Sequence, residues 1–358
     1  MAIQGAFTLN PNEIFASLAN MIISQEVFAD NLGKHQTLVD KARVDGSLYG
    51  DKKLYYATDV LESHVWGADA EASNLLALDR PQDPEVQAIT LDVFRQIRLT
   101  VDNYLTKKAW STEGVFSQFN SVMLGWMRET KRVYDGTLYN VFIGTNESAL
   151  GAQKQTVASK SAATPELEAK LIAEKIANIL VEMNDYNRDY NDYGFLRSYS
   201  EDAIKVIWNS KFVNKIRKVD LPAIFHKEGL VDKFDEEILP ARYFGTKNTA
   251  KVTTSQNTGN YRSVIEKTYN KSGTEYHVFP GDVIPAGVEI AIGEGYLVDA
   301  DIICKIVVKL PPFMSAFEVG TSFFNPRSLT ENHYLTFGHN TLVALKNYPF
   351  VTLRASAE

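Results

Sequence analysis

The sequence predicts an α+β protein, on three observations. A long amphipathic helix is written between residues 111 and 134. Alternating apolar runs occur at 54–60 and again at 89–101. Beyond residue 246 the chain turns to short strand-like runs punctuated by turn-forming residues. The 358 residues exceed one typical compact domain, so two connected domains are expected. With 45% hydrophobic and 23% charged residues, the chain can sustain a core.

The amino-terminal segment NPNEIFASLANMIISQEVFADNL places Ile14, Leu18, Met21, Ile22 and Phe28 at helical spacing, which predicts an arm carrying one helix. In GSLYGDKKLYYATDVL, Leu54, Tyr56, Thr58 and Val60 alternate. ITLDVFRQIRLTVDNYL alternates through Ile89, Leu91, Val93, Ile97, Leu99 and Val101. The linker between them, HVWGADAEASNLLALDRPQDPE, has no core of its own. An isolated two-stranded ribbon is marginal in water, so this one is expected to lie against a partner.

Ser111 can cap the long helix, whose stripe reads Val115, Phe119, Val122, Trp126 and Val133, widened by Met123 and Met127. About 24 residues make roughly 36 Å of rod. GTNESALGAQKQTVASKSAAT reads as a loop. Thr164 and Pro165 then open a second helix, with Glu166 and Glu168 in its first turn and a stripe of Leu167, Leu171, Ile172, Ile176, Ile179, Leu180 and Met183. Ser200 is expected to start a third, burying Ile204, Ile207, Trp208 and Phe212. Strands are expected in ADIICKIVVKL, LTFGHNTLVAL and YPFVTLRA.

The search for chemistry returns little. A net charge of −7, with no run of five or more Lys and Arg, excludes a chain devoted to gripping nucleic-acid phosphates. No stretch of about 18 apolar residues occurs, and the first residues lack a basic region followed by an apolar run. A cytosolic or particle-bound protein without a membrane span is expected. Cys304 is the one cysteine; it permits no intrachain disulfide and is expected to be a buried structural thiol.

NDYNRDYNDYG, residues 184–194, imitates a calcium loop with Asp185, Asn187, Asp189 and Asn191 at alternate positions. That loop requires Gly at its sixth place and Glu at its twelfth, where this chain has Tyr190 and Leu196. Instead, Met183, Tyr186 and Tyr190 prolong the preceding helix stripe, and Gly194 suits a left-handed helix stop. There is no Walker A loop, G-x-S-x-G, H-E-x-x-H or Cys pair, and Gly293-Glu294-Gly295 lacks the third glycine of a dinucleotide fingerprint. His333 and His339 match no common zinc spacing. Carboxylate pairs such as Glu201 with Asp202, or Asp299 with Asp301, keep a glycosidase-like reading open.

An extended ribbon, a long helix, a block around YNDYGFLRSYSEDAIKVIWNS and a strand-rich carboxyl end, in that order, resemble the Hong Kong 97-type major capsid proteins of tailed bacteriophages. KKAWSTEGVFSQFNSVMLGWM, YNDYGFLRSYSEDAIKVIWN and FFNPRSLTENHYLTFGHNTLVAL are similar to segments from short-tailed phages of Gram-positive hosts. The last combines Phe324, Asn325, Pro326, Asn332, Tyr334 and Leu335.

The resemblance implies an N-terminal arm at 1–45, an E-loop and its base at 46–110, and a P-domain spine helix at 111–140 beside an antiparallel sheet. It further implies an A-domain at 141–300 with a strand-rich insertion near 246–290, and strands returning to the P-domain at 301–358. It implies a non-enzymatic subunit, without catalytic residues, cofactor or metal, that self-assembles as pentamers and hexamers into an icosahedral head around packaged double-stranded DNA. No motif assigns a Lys–Asn crosslink, so assembly is expected to be noncovalent. A scaffolding protein, a portal and nonspecific contact with DNA are the implied partners; the virion is the implied location, after synthesis in the host cytoplasm. Intersubunit contact candidates are Tyr49, Tyr55, Tyr56 and Trp66, because aromatic anchors dominate binding energy; the alternative is that they pack on their own sheet. An encapsulin-like compartment shares the fold, and a carboxylate-dependent glycosidase or carbohydrate-binding protein is the alternative from another class.

Overall fold

The computed structural model describes residues 37–46, 52–63, 78, 80–102, 113–213 and 235–357. In chain order these form α1 (Leu38–Ala42), β1 (Arg43–Asp45), β2 (Lys52–Ala57), β3 (Glu85–Asp102), α2 (Glu113–Thr145), β4 (Lys154–Val157), α3 (Pro165–Asn184), β5 (Lys205–Asn209), β6 (Asp235–Leu239), β7 (Gly245–Lys247), β8 (Tyr261–Ser263), β9 (Lys267–Lys271), β10 (Thr274–Val278), β11 (Gly295–Val298), β12 (Ile302–Val307), β13 (Phe313–Asn325), β14 (Thr330–Asn340) and β15 (Phe350–Ala355). The fold is mixed α+β. Of the described residues, 37–46, 91–102, 113–136 and 313–341 belong to one compact unit and the rest to a second. The helix expected around Ile14–Phe28, and Ser111, lie outside the described residues.

The first unit is built on long antiparallel strands in the order β1-β13-β14-β3, with β1 running parallel to the start of β13. β14 pairs with β3 from Asn340↔Leu91 to Thr330↔Asp102. Alternation decides the faces: Asp92, Phe94, Gln96, Arg98 and Thr100 are exposed, while Val93, Arg95, Ile97 and Leu99 point to the covered side. Arg95 belongs there because its guanidinium lies over the Tyr134 ring, 5.0 Å from the centroid.

Helix α2 has 33 residues, about 50 Å, and runs ten past the expected stop near 135. Its stripe also differs from the expected one. Met127 is buried as expected and the side chains of Val115, Phe119, Val122 and Met123 lie outside the described ones, but Trp126 and Val133 are 51% and 47% exposed, whereas Lys131, Tyr134, Asp135 and Leu138 are buried. The physical reason is an ion pair. Lys131 Nζ lies 2.7 Å from Asp135 Oδ2, and Arg43 approaches the same oxygen at 3.4 Å, so two charged residues occupy the covered face. Hydrophobicity alone selects the neighbouring face. Beside them, His339 Nδ1 donates to the Asn340 carbonyl at 2.9 Å, which leaves Nε2 to accept the Tyr134 hydroxyl at 2.8 Å. Burial holds this imidazole below the usual histidine range and hence neutral.

The second unit contains a sheet in the order β4-β15-β12-β5-β6. α3 starts as expected: the Thr164 hydroxyl accepts from Leu167 N at 3.2 Å, and Pro165 occupies the first turn. Ile172, Ile176, Ile179, Leu180 and Met183 pack with Val206, Cys304, Ile306, Val351 and Leu353, Leu171 is partly buried, and Leu167 is exposed. Each such side chain contributes roughly 1.5–3 kcal/mol on full burial.

Three expectations are corrected here. The stretch at 205–209 is strand, not helix: after a 3-10 turn (Glu201–Ala203), β5 lies between β12 and β6 with Val206–Asn209 all buried. A strand covered on both faces shows no alternation, so IKVIW imitates helical spacing. The stretch read as a loop after α2 contains β4, a parallel neighbour of β15. And α3 ends at Asn184 rather than at Gly194; Asp185 is already extended.

Cys304 is fully buried in β12, as expected. In the same strand Lys305 is fully buried. Its Nζ donates to the Asn146 carbonyl at 2.8 Å and the Thr352 hydroxyl at 2.9 Å. Asn146 N closes the final turn of α2 on Phe142 O at 2.8 Å. The lysine therefore satisfies a carbonyl that the helix end leaves without an intrahelical partner. Arg354 ties Glu147 to Asp299 nearby. Gly144 completes this junction, since a Cβ there would lie 2.1 Å from the Tyr243 carbonyl oxygen.

The strand-rich segment expected near 246–290 extends over 245–298, as a β7-β11-β8 sheet and a β9–β10 hairpin around Val252, Tyr269, Val278, Ile284, Val288 and Ile290. Lys271 pairs with Thr274 across Ser272 and Gly273, both at positive φ, as a tight two-residue turn demands. Within the expected return segment 301–358, β13 and β14 lie in the first unit, whereas β12 and β15 join the sheet of the second.

Candidate functional site

The ribbon predicted from alternation is present at its root. β2 pairs antiparallel with the start of β3, from Lys52↔Thr90 to Ala57↔Glu85. Period two sends successive side chains to opposite faces. Tyr55 points to the half-buried face, with the Lys309 ammonium 5.4 Å from its ring centroid. Burial and the neighbouring Tyr348 raise its pKa. Tyr56 points the other way and is 63% exposed. Tyr49 and Trp66 lie outside the described residues.

The structure adds two residues that the aromatic criterion passed over. Val86, directly opposite Tyr56, is 45% exposed, and Leu54, two positions along β2, is 44% exposed. Together they make an apolar strip on one ribbon face. The signal for Leu54 was in the sequence, since it shares the phase of Tyr56. Val86 required the register.

Residues 185–197, which include most of the stretch that imitates a calcium loop, form a closed loop at the foot of this ribbon. Asn187 and Arg197 exchange both backbone hydrogen bonds, at 3.0 and 2.9 Å. The carboxamide of Asn187 donates to the Glu182 and Asp185 carbonyls, and that of Asn191 both donates to Phe195 O and accepts from Phe195 N. Tyr190, buried, donates its hydroxyl to Glu182 at 2.5 Å. Tyr186 is 71% exposed, so the two tyrosines do not share the expected stripe. Gly194 is left-handed at φ +69°, as expected, but it serves this loop rather than a helix terminus.

What the loop holds is Asp59. Arg188 Nη1 lies 2.6 Å from Asp59 Oδ2 and also donates to Gly194 O at 2.7 Å. Leu196 N donates to Asp59 Oδ1 at 2.9 Å, and the Arg197 guanidinium donates to the Thr58 carbonyl. The hydrogen bond from Arg188, then that from Leu196 N–H, lower the Asp59 pKa to about 2. Because the folded value lies below the free one, this contact is complete above about pH 4 and dissolves as the pH falls through 2. A carbon-detected NMR titration of the Asp59 carboxyl is expected to give a midpoint near 2; a midpoint near 4 contradicts the contact.

Three of the acidic residues in the segments weighed for chemistry are held in ion pairs. Asp299 pairs with Arg354, Asp301 with Lys160 at 2.7 Å, and Glu294 with Lys267 at 2.6 Å. Among the described residues no group of three or more His, Cys, Asp or Glu is placed to hold a metal ion, and no helix is long and apolar enough to cross a membrane.

Comparison with known proteins gives one family. Residues 3–345 match the family model described as Phi29-like phage major capsid protein. No curated protein matches. Among solved structures, a chain from "Capsid structure of Staphylococcus phage Andhra" superposes with a TM-score of 0.59 at 10% identity, covering 89% of this chain and 84% of that one. A chain from "Structure of head fiber and inner core protein gp22 of native bacteriophage P68" gives 0.55 at 9% identity, covering 87% and 82%. At these identities the likeness is one of fold.

Proposed function

The chain belongs to the Phi29-like phage major capsid protein family, and from that premise we propose that its copies associate as pentamers and hexamers into a closed icosahedral head around packaged double-stranded DNA. It is a structural, non-enzymatic component of the virion. The observation that carries the proposed mode of assembly is the ribbon. Its root bears Leu54, Tyr56 and Val86 on a face that its own unit leaves open, and in a shell a neighbouring subunit supplies the cover that an isolated ribbon lacks.

In this reading, residues about 46–110 are the E-loop and its base, preceded by the N-terminal arm. Helix α2 is the spine of a P-domain with β3, β13 and β14. Residues from about 141 to 300 form the axial domain, with a strand-rich insertion near 246–290; of the strands beyond, β13 and β14 return to the P-domain, whereas β12 and β15 pair in the sheet that holds β4, β5 and β6. A scaffolding protein and a portal assist assembly in the host cytoplasm, and the packaged DNA is touched without sequence preference. Tyr56 anchors the contact with the neighbour, whereas Tyr55 packs within its own subunit.

The test is electron microscopy of the purified protein, co-expressed with its scaffolding protein, beside Tyr56→Asp. Wild type is expected to give closed shells or capsomer rings. The variant should keep the wild-type circular dichroism and melting temperature but lose closed particles, since the replaced side chain is exposed in the subunit. A wild-type protein that stays monomeric contradicts the proposal; normal shells from the variant remove Tyr56 from the interface.

A further inference from the structure

The loop at 187–197 is more highly constructed than a connection between α3 and β5 requires. It is closed at its base by the Asn187–Arg197 bridge, stiffened inside by the Asn191 carboxamide, and joined to the chain after β14 through Asp192 N, which donates to Lys346 O at 2.7 Å. Arg197 Nε also reaches Asn347 Oδ1 at 3.3 Å. Preformed in this way, it presents one backbone N–H and two guanidinium groups to a two-residue target, Thr58 and Asp59. Those residues directly follow β2, where the ribbon leaves its ladder.

The target is equally ordered. Asp59 Oδ1 accepts from the next amide, Val60 N, at 2.9 Å as well as from Leu196 N, so one carboxylate oxygen ties the chain that follows β2 to the loop. Free rotation at 58–59 would otherwise let the segment that follows swing about its root. Both loop groups bonded to Asp59, the Arg188 guanidinium and the Leu196 N–H, are donors, and Arg188 supplies the countercharge.

We propose that residues 187–197 are a built-in socket for the root of the ribbon, which sets the direction in which the ribbon leaves its subunit and therefore which neighbour it reaches. Arg188 and Arg197 are positioning residues: they act on the interface through Asp59 and Thr58, without touching the neighbour. This deepens the assembly reading and depends on it for its consequence, but the docking itself is measurable on the free subunit.

The test is amide hydrogen exchange on the unassembled chain, comparing wild type with Asp59→Ala and Arg188→Ala. The Leu196 and Val60 amides are expected to exchange about tenfold faster in Asp59→Ala, with the amides of β2 and α3 unchanged. Asp59→Asn provides a second variant that keeps an acceptor for Leu196 N–H while removing the charge that Arg188 pairs. It should give a smaller effect at Leu196, which a general loss of folding would not. The same variants, assembled with scaffolding protein, are expected to yield open or irregularly curved particles at an unchanged melting temperature. Unaltered exchange at Leu196 overturns the socket. Faster exchange with shells of normal size and curvature overturns its role in direction. Failure of the wild type to assemble counts against the shell reading and leaves the exchange result standing.

Discussion

A subunit lacking residues 64–84 folds but closes no normal shell. After the deletion, residues 58–63 still join Ala57 to Glu85, a span that hairpin connections bridge. The ladder from Lys52↔Thr90 to Ala57↔Glu85 survives, and so do Asp59 and its contacts with Arg188 and Leu196. The described residues that are removed, 78 and 80–84, are all exposed, Leu78 at 82%, and the melting temperature is expected to hold within a few degrees. Assembly is another matter. The deletion removes about twenty residues, the number that one side of a standard interface contributes. Negative-stain microscopy beside a thermal melt checks both halves of the expectation, and normal shells from the deleted chain refute the assignment of the ribbon.

The second large effect belongs to Lys305. Lys305→Ala removes the donor to the Asn146 carbonyl and the Thr352 hydroxyl and leaves a cavity in the central sheet. Unpaired buried acceptors cost about 1–3 kcal/mol each, so a loss of about 3–5 kcal/mol is expected, read as a denaturant midpoint shift with unchanged slope. Lys305→Met fills the same space, which removes the cavity contribution but leaves both acceptors without their donor, and is expected to lose less than Lys305→Ala.

The lysine also gives the fold a pH dependence. Burial pushes its pKa down to about 7, with Glu147 opposing. A folded value below the unfolded one means that the unfolded chain binds the proton more tightly between pH 7 and about 10. Stability therefore rises with pH across that window, by roughly one kcal/mol per unit from this group, and Lys305→Met abolishes the rise. Equal slopes in the two proteins, measured by denaturation at pH 7 and pH 9, contradict the assignment.

How much of this was legible depended on whether the signal lay within a few residues of its cause. The start of α3 was readable because Thr164, Pro165 and the first-turn acids act on amides of the same turn. The ribbon strands were readable because alternation at Leu54–Tyr56 and along β3 reflects one covered and one open face. β5 escapes the pattern because burial on both faces erases alternation, and β4 because a four-residue edge strand carries too little pattern to stand out from a loop. On α2, Trp126 and Val133 are exposed where the pattern puts them in the stripe, because Lys131 and Asp135 are buried as a pair that polarity alone places outside.

The same distinction separates the two halves of the functional account. By itself the sequence determined an α+β subunit with a capsid-like order of elements, a helix cap, a ribbon and the absence of a recognisable catalytic motif, all properties of residues near one another in the chain or of their overall composition. Only the tertiary structure decided that Val86 completes the exposed strip, that Lys305 closes the end of α2, and that NDYNRDYNDYG holds Asp59 rather than a metal ion or a helix terminus. Arg188 and Asp59 stand 129 positions apart. No local periodicity encodes a hydrogen bond across that distance, because what brings the two groups together is the packing of everything between them.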